Sequence, residues 1–393
     1  MTFRFEILYQ SKRSQARVGR IHTPHGVIDT PNFVAVGTNG TLKALDSRQV
    51  DALGQQLMFC NTYHLLLQPG PQVVEAAGGL HRFMNRTQPI ITDSGGFQVF
   101  SLAYGSISDE LKGRGGKKQE GHVLKLSEEG VLFRSYRDGS KILLTPESSI
   151  AAQKSFGADI ILPLDELPPY HTAPEDLERS LERTHRWERR SLEAHVRNPK
   201  GQAIYSIIHG GIDCALRKKS CDLLSSLPFD GHAIGGSLGK TRSEMVPMLH
   251  ETLSHLPPEQ PRHLLGIGDL QSIEACVPLG IDTFDSSYPT RAARHGLLLT
   301  FAGEIKIEKK EHERSFFPIA EECTCWTCTH FSRSYVHHLF KAKELTAYTL
   351  ATIHNLHFMQ ELMAQYRKNI IEDCLFPGSA LELKIQREIA CTS

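Results

Sequence analysis

Three cysteines, Cys323, Cys325 and Cys328, fall within six positions in the stretch ECTCWTCTH (322–330). Thiolates at that spacing can face one ion from a single loop, and soft sulfur donors in a tetrahedral set favour zinc. A fourth donor must come from elsewhere, and the histidines downstream are His330, His337, His338, His354 and His357, with the remaining cysteines as further candidates. His330 sits so close to Cys328 that closing round the same ion is awkward. His354 lies in LTAYTLATIHNLHFMQELMAQYRK, which reads as a long helix. Three cysteines and one histidine leave no open position for water, so such a metal is structural. The reacting groups must then lie elsewhere.

A second set of residues closes short apolar runs: Asp93, Asp165, His209, Asp269 and Asp285. Each could be a helix cap or a loop carboxylate. Their number and context argue for more. Asp93 precedes SGGF, a glycine pair that lets backbone approach a ligand closely, and Asp285 precedes SSYPTR, which places Arg291 nearby to bind an anion. Two facing carboxylates suit substitution at a sugar carbon, one attacking while the other manages protons. Asp109, Glu110 and the acidic helix over 175–193 read as solvated faces.

The elements that would carry these groups alternate along the chain. Eight apolar runs appear, at 32–37, 56–61, 89–93, 159–165, 203–211, 231–236, 263–269 and 281–285, with helical stretches between most of them. Near-continuous apolar strands alternating with helices argue for a parallel sheet. Eight of them over a span close to the ~250 residues typical of that fold point to a (β/α)8 TIM barrel rather than an open doubly wound sheet. FRFEILYQ and ARVGRIHTPHGVIDTP ahead of it read as an N-terminal hairpin. An insertion at about 100–145 holds KGRGGKKQEGH (112–122), read as a solvated loop, and a hairpin turning at Asp138-Gly139. The expected division is residues 1–303 for the barrel and 304–393 for a zinc-binding subdomain with C-terminal helices closing it.

Lysine plus arginine equals aspartate plus glutamate, at 44 each, which excludes a globally basic nucleic-acid binder but leaves room for a local basic surface. No apolar run reaches the roughly 18 residues of a membrane span. Nine cysteines, mostly scattered, fit reduced thiols, and the opening segment lacks the apolar core of a secretory signal. A cytoplasmic protein with no membrane partner is expected.

Taken in order, NTYHLLLQPG (61–70), DSGGFQVFSL (93–102), PFDGHAIGGS (228–237), LLGIGD (264–269), FDSSYPTR (284–291), CTCWTC and TIHNL (352–356) resemble the tRNA-guanine transglycosylase family over nearly the whole chain. The resemblance implies a (β/α)8 barrel with a zinc subdomain inserted near the C-terminus. It implies exchange of the wobble guanine of tRNA for a free deazaguanine base. Carried over, Cys323, Cys325, Cys328 and His354 hold one structural Zn2+ per chain. Asp285 attacks the ribose to give a covalent intermediate, and Asp93 handles protons. Asp165, His209, Gly235 and Gly236 read the base, Phe97 stacks on it, and Arg291 and Arg294 contact the anticodon loop, with EIKIEKKEHER (304–314) adding affinity. A homodimer is implied by the resemblance alone.

Several positions depart from the family pattern: Leu167 where bacterial members carry cysteine, His209 for glutamine, Ser286 and Ser287 in FDSSYPTR, and Lys240 about where an acidic residue is usual. Members that take queuine, with its cyclopentenediol arm, also lack that cysteine, so queuine is favoured over preQ1. Retention of Asp93, Asp165 and Asp285 speaks against a non-catalytic partner subunit, and the cysteine cluster against a retaining glycoside hydrolase.

Overall fold

The computed structural model describes residues 3–104 and 122–375. The 112–122 stretch therefore lies, apart from His122, outside the described residues. Strands β1 (Arg4–Gln10), β2 (Arg17–Thr23) and β3 (Gly26–Thr30) form an antiparallel sheet. Eight parallel strands then close into a barrel: β4 (Asn32–Val36), β5 (Met58–Cys60), β6 (Ile90–Thr92), β10 (Ile160–Ile161), β11 (Ala203–Ile208), β12 (Gly231–Ile234), β13 (Arg262–Leu264) and β14 (Thr283–Ser286). Each of the eight expected runs supplies one barrel strand. The insertion contributes β7 (Val123–Leu126), β8 (Val131–Arg134) and β9 (Lys141–Leu144), an antiparallel sheet that includes the expected hairpin.

Alternation sorts the strand residues into two layers. Val34, Phe59, Ile91, Ile160, Ala203, Tyr205, Ile207 and Ala233 form one buried cluster with Ile21 and Ile28 of the N-terminal sheet, which plugs one end of the barrel. Their neighbours Phe33, Ala35, Met58, Cys60, Ile90, Ile161, Ile204, Ile208, Ile234, Leu264 and Phe284 belong to a second cluster packed under the surrounding helices.

The expected 159–165 strand makes ladder pairs at only two residues, Ile160 and Ile161. Beyond them the backbone bonds to helix side chains instead. Leu162 N donates to Gln153 Oε1 at 3.1 Å, Leu164 N to Ser191 Oγ at 3.3 Å and Glu166 N to Thr184 Oγ1 at 3.0 Å. Four barrel helices, Thr62–Leu67, Leu80–Phe83, Gly96–Tyr104 and Tyr288–Arg294, lie where no helix was expected. The first and third begin directly behind strand-end polar residues, where a short apolar stretch gives no separate periodicity.

At the plugged end, Asp159 is fully buried and meets two histidines. His25 Nδ1 lies 2.7 Å from Oδ1 and His81 Nε2 lies 3.1 Å from Oδ2, the latter an ion-pair contact rather than a well-directed hydrogen bond. The rings stack 3.5 Å apart and 13° from parallel, so they take the two oxygens side by side. Burial acts to raise the Asp159 carboxyl, but the hydrogen bond from His25 and the contact with His81 outweigh it and hold the group well below the usual carboxylate range. This pair of contacts ties the β2–β3 turn and the helix Leu80–Phe83 to β10.

After β14 come the helix Tyr288–Arg294, the hairpin of β15 (Leu297–Thr300) and β16 (Gly303–Lys306), and three further helices ending in Leu345–Ile371. Asn355 on that last helix accepts from Leu299 N at 2.9 Å and donates to Pro289 O at 3.0 Å and Leu297 O at 2.9 Å. One buried amide thus joins the C-terminal helix, the hairpin and the segment that follows Asp285.

Candidate active site and metal centre

The inward alternation of the strands continues past their last apolar residue. Two residues beyond Phe59, Ile91, Ile207, Ala233 and Thr283 stand Asn61, Asp93, His209, Gly235 and Asp285. The C-terminal ends of the strands therefore converge polar side chains on one mouth, where barrel enzymes place their chemistry.

Asp93 is 8% exposed and accepts four hydrogen bonds: Asn61 Nδ2 and Thr62 N at 2.7 Å, Gln98 Nε2 at 3.0 Å and Gly95 N at 3.2 Å. Burial pushes its carboxyl up to about 6 even though those donors oppose the shift. Such a group is close to the balance point at which it can both give and take a proton near neutrality.

Asp165 is linked to the Asp93 loop through Ser94 Oγ, 3.2 Å from Oδ1, while its Oδ2 lies 2.9 Å from His209 Nε2. The Gly95–Gly96 bend passes so close that a side chain at Gly96 would place Cβ 2.8 Å from the Asp165 carbonyl oxygen. Gly236 has φ +74°, and a Cβ there would fall 2.9 Å from His209 Nδ1. Glycine is thus required both by conformation and by the histidine ring. Phe97, 45% exposed, stands on the first turn of Gly96–Tyr104.

Asp285 Oδ1 accepts from Gly266 N at 2.9 Å and lies 3.1 Å from His263 Nε2. Arg291 and Arg294 follow on Tyr288–Arg294. Arg291 is exposed, whereas Arg294 donates from Nη1 to Thr290 O at 2.9 Å. Asp269 proves to be a cap: its Oδ1 accepts from Ser272 N at 3.0 Å at the start of the helix Leu270–Cys276.

Two buried neighbours of the site aspartates escaped the sequence reading. His263 is one. The other is Glu188, on the helix Pro174–Val196 that was expected to be a solvated acidic face. It is fully buried behind Asp165, with Oε2 accepting from Ile207 N at 3.1 Å. Burial, and secondarily the charge of Asp165, raises its carboxyl well above the usual range. The signal lay in SLERTHRWERRSLEA: Leu181, Thr184, His185, Glu188, Ser191 and Leu192 recur at helical spacing on the buried face.

Beside His209 and Gly236 opens a cavity of about 360 Å³, bounded by Tyr170, Thr172, Leu177 and Ser237 among others. Leu167 does not line it; that side chain packs on the cluster of Tyr63, Val99 and Trp187. Lys240 lies with Nζ 4.7 Å over the Tyr170 ring, and its backbone N donates to Glu244 Oε2 at 2.7 Å. Glu244 also accepts from Tyr170 Oη at 3.3 Å, while the acidic residues that bound the cavity itself are Glu166 and Asp213.

The metal-ligating set is assembled as expected. His354 Nδ1 faces Cys323, Cys325 and Cys328 Sγ at 3.7, 3.6 and 3.3 Å. A tetrahedral ion with ordinary Zn–S and Zn–N bonds separates sulfur from nitrogen by about 3.6 Å, so the donors fit it. His354 Nε2 donates to Leu299 O at 2.9 Å, which fixes the tautomer and leaves Nδ1 as the ligand. Three of the other candidate histidines are engaged elsewhere: His330 stacks on Trp326 at 3.6 Å, His337 Nδ1 meets Ile307 O at 2.7 Å, and His357 Nε2 lies 3.3 Å from Thr324 Oγ1.

A family model described as queuine tRNA-ribosyltransferase matches residues 11–378. A queuine tRNA-ribosyltransferase of Protochlamydia amoebophila is 67% identical over 373 residues, covering 95% of this chain and 96% of that protein. Proteins of the same name from Chlamydia abortus and Chlamydia trachomatis serovar A are 55% and 53% identical over 374 residues, each covering 95% of this chain and 100% of the relative.

A metal held by this cluster would join the cysteine loop to the long C-terminal helix, whose His354 also bonds β15, so its loss should loosen that junction. Cys328→Ser should bind substoichiometric metal by atomic absorption and melt about 10 °C or more below the parent. A metal-poor variant with unchanged melting would show the cluster to be dispensable for the fold.

Proposed function

The chain belongs to the queuine tRNA-ribosyltransferase family, and from that premise we propose that it exchanges the wobble guanine of tRNA for queuine, in preference to preQ1, through a covalent aspartyl-ribose intermediate. The observation that carries this reading is the convergence of Asp93, Asp165 and Asp285, each nine-tenths or more buried, on the mouth of one closed barrel.

Asp285 is the nucleophile. Its free carboxylate oxygen forms a bond to ribose C1′ as the C1′–N9 bond breaks. The electron pair of that bond leaves on guanine, which takes a proton from the acid form of Asp93. The incoming base then returns a proton from N9 to the Asp93 carboxylate, attacks C1′ and displaces Asp285. Two displacements retain the configuration of the sugar. Asp165 reads the guanine-like edge, its Oδ2 oriented by His209. Phe97 supplies an exposed ring on which the flipped base stacks. Arg291 and Arg294 meet the anticodon-loop phosphates.

The preference for queuine is supported by the cavity beyond His209 and Gly236, which offers room for a cyclopentenediol arm. The ion held by Cys323, Cys325, Cys328 and His354 is zinc, one per chain, with a scaffold role. Exposed apolar side chains on the same subdomain, Phe316 and Phe317 at 81% and 64% and Trp326 at 55%, support pairing of two chains there. Among the described residues no helix is long and apolar enough to cross a membrane, in keeping with a cytoplasmic site of action.

Two tests follow from these roles. With both bases present, queuine should be incorporated over preQ1 by about tenfold or more; preference for preQ1 would remove the role given to the cavity. The two half-reactions should also respond to pH with opposite sign around the value of about 6 held by Asp93. Base incorporation into a preformed covalent complex, which needs the carboxylate, should fall about tenfold per pH unit below that value. Guanine release, which needs the acid, should slow above it. Profiles that run in parallel would take the proton transfers away from Asp93.

A further inference from the structure

His263 and Thr283 face each other across the β13–β14 ladder, and Asp285 lies two residues beyond Thr283 on the same inward face. All three are buried, His263 completely. His263 Nδ1 lies 2.8 Å from Thr283 Oγ1 and Nε2 lies 3.1 Å from Asp285 Oδ1. A carboxylate accepts only from donors, so Nε2 carries a proton, and in the neutral ring Nδ1 then accepts from the threonine hydroxyl. The ring is held flat as well, 17° from parallel to Phe59 at 6.1 Å. The second donor to the carboxylate, Gly266 N, goes to the same oxygen, Oδ1. Among the described residues no hydrogen bond reaches Oδ2.

Two donors on one oxygen and none on the other make the carboxylate asymmetric. We propose that His263 is the positioning residue of the nucleophile: it pins Oδ1 and so presents Oδ2, with both lone pairs free, to the ribose carbon. This rests on Asp285 being the nucleophile. In the covalent intermediate Oδ2 is the ester oxygen and Oδ1 the carbonyl oxygen, so the hydrogen bond from His263 persists. When the incoming base attacks C1′, the Oδ2–C1′ bond breaks with its electron pair returning to the carboxylate. The negative charge that spreads onto Oδ1 then meets donors already in place, and little reorganisation is needed. Thr283 acts one step back, keeping the imidazole in the tautomer that donates.

The test follows formation of the denaturant-stable covalent complex with tRNA, together with KM for tRNA and melting temperature. His263→Leu should slow complex formation about 100-fold, on the scale of losing one preorganised donor, with KM and melting little changed. His263→Gln places an amide donor within similar reach and should recover most of the rate. Should the leucine variant fail to fold, Thr283→Val leaves the ring in place and should slow complex formation several-fold. A folded His263→Leu that forms complex at the parent rate overturns the proposal, as does a glutamine variant as slow as the leucine one, or an unaffected Thr283→Val. Asp285→Asn serves as the separate control. If it still forms the complex, the assignment of the nucleophile itself fails, whatever His263 does.

Discussion

A closed parallel barrel turns every second strand residue inward, and the candidate site is a consequence of that period. The same alternation that buries Phe59, Ile91, Ile207, Ala233 and Thr283 carries Asn61, Asp93, His209, Gly235 and Asp285 into the mouth one step later. No separate device is needed to gather them. Shifting any of these strands by one residue would move its functional group to the helix-covered face, so packing of the apolar interior and alignment of the site are one constraint.

Placing carboxylates there has a cost that donors must offset. Asp93 receives four hydrogen bonds and still remains shifted upward by burial, which leaves it able to exchange a proton. Asp285 receives two donors, both on one oxygen, which leaves the other oxygen able to attack. Asp165 is braced by a serine and a histidine, as suits a group that recognises rather than reacts. Three aspartates of one chemical type thus differ in the count and placement of their donors, which is the basis of the separate roles proposed for them. The C-terminal subdomain takes part from outside. Asn355 and His354 are adjacent on one helix; the first ties down Pro289 near Asp285, the second completes the cysteine set and bonds Leu299.

Much of this was legible in the residues. The eight strands declared themselves as apolar runs, and the spacing of Cys323, Cys325 and Cys328 announced a loop able to hold a metal, with the fourth donor to come from a downstream histidine or a remaining cysteine. What stayed hidden has physical causes. The β10 strand is short because Gln153, Ser191 and Thr184 take over its backbone bonds, and side-chain substitution for a ladder leaves no local trace. Asp269 looked like a strand-end group yet caps a helix, since an aspartate before an apolar turn has the same appearance in either role. Glu188 was passed over because one buried carboxylate among many exposed ones hardly changes the helix composition. His263 could have been found: counting by twos from Thr283 and Asp285 across the next strand puts it on the inner face, where a histidine needs a partner.

The central claim, that the mouth of this barrel removes guanine from tRNA in exchange for a free base, is tested most directly with tRNA labelled in the wobble guanine. The protein is added with free queuine and the label in solution is followed. Queuine-dependent release of the label, with none from Asp285→Asn, is the predicted result. Label retained in full with either queuine or preQ1 present would contradict the account.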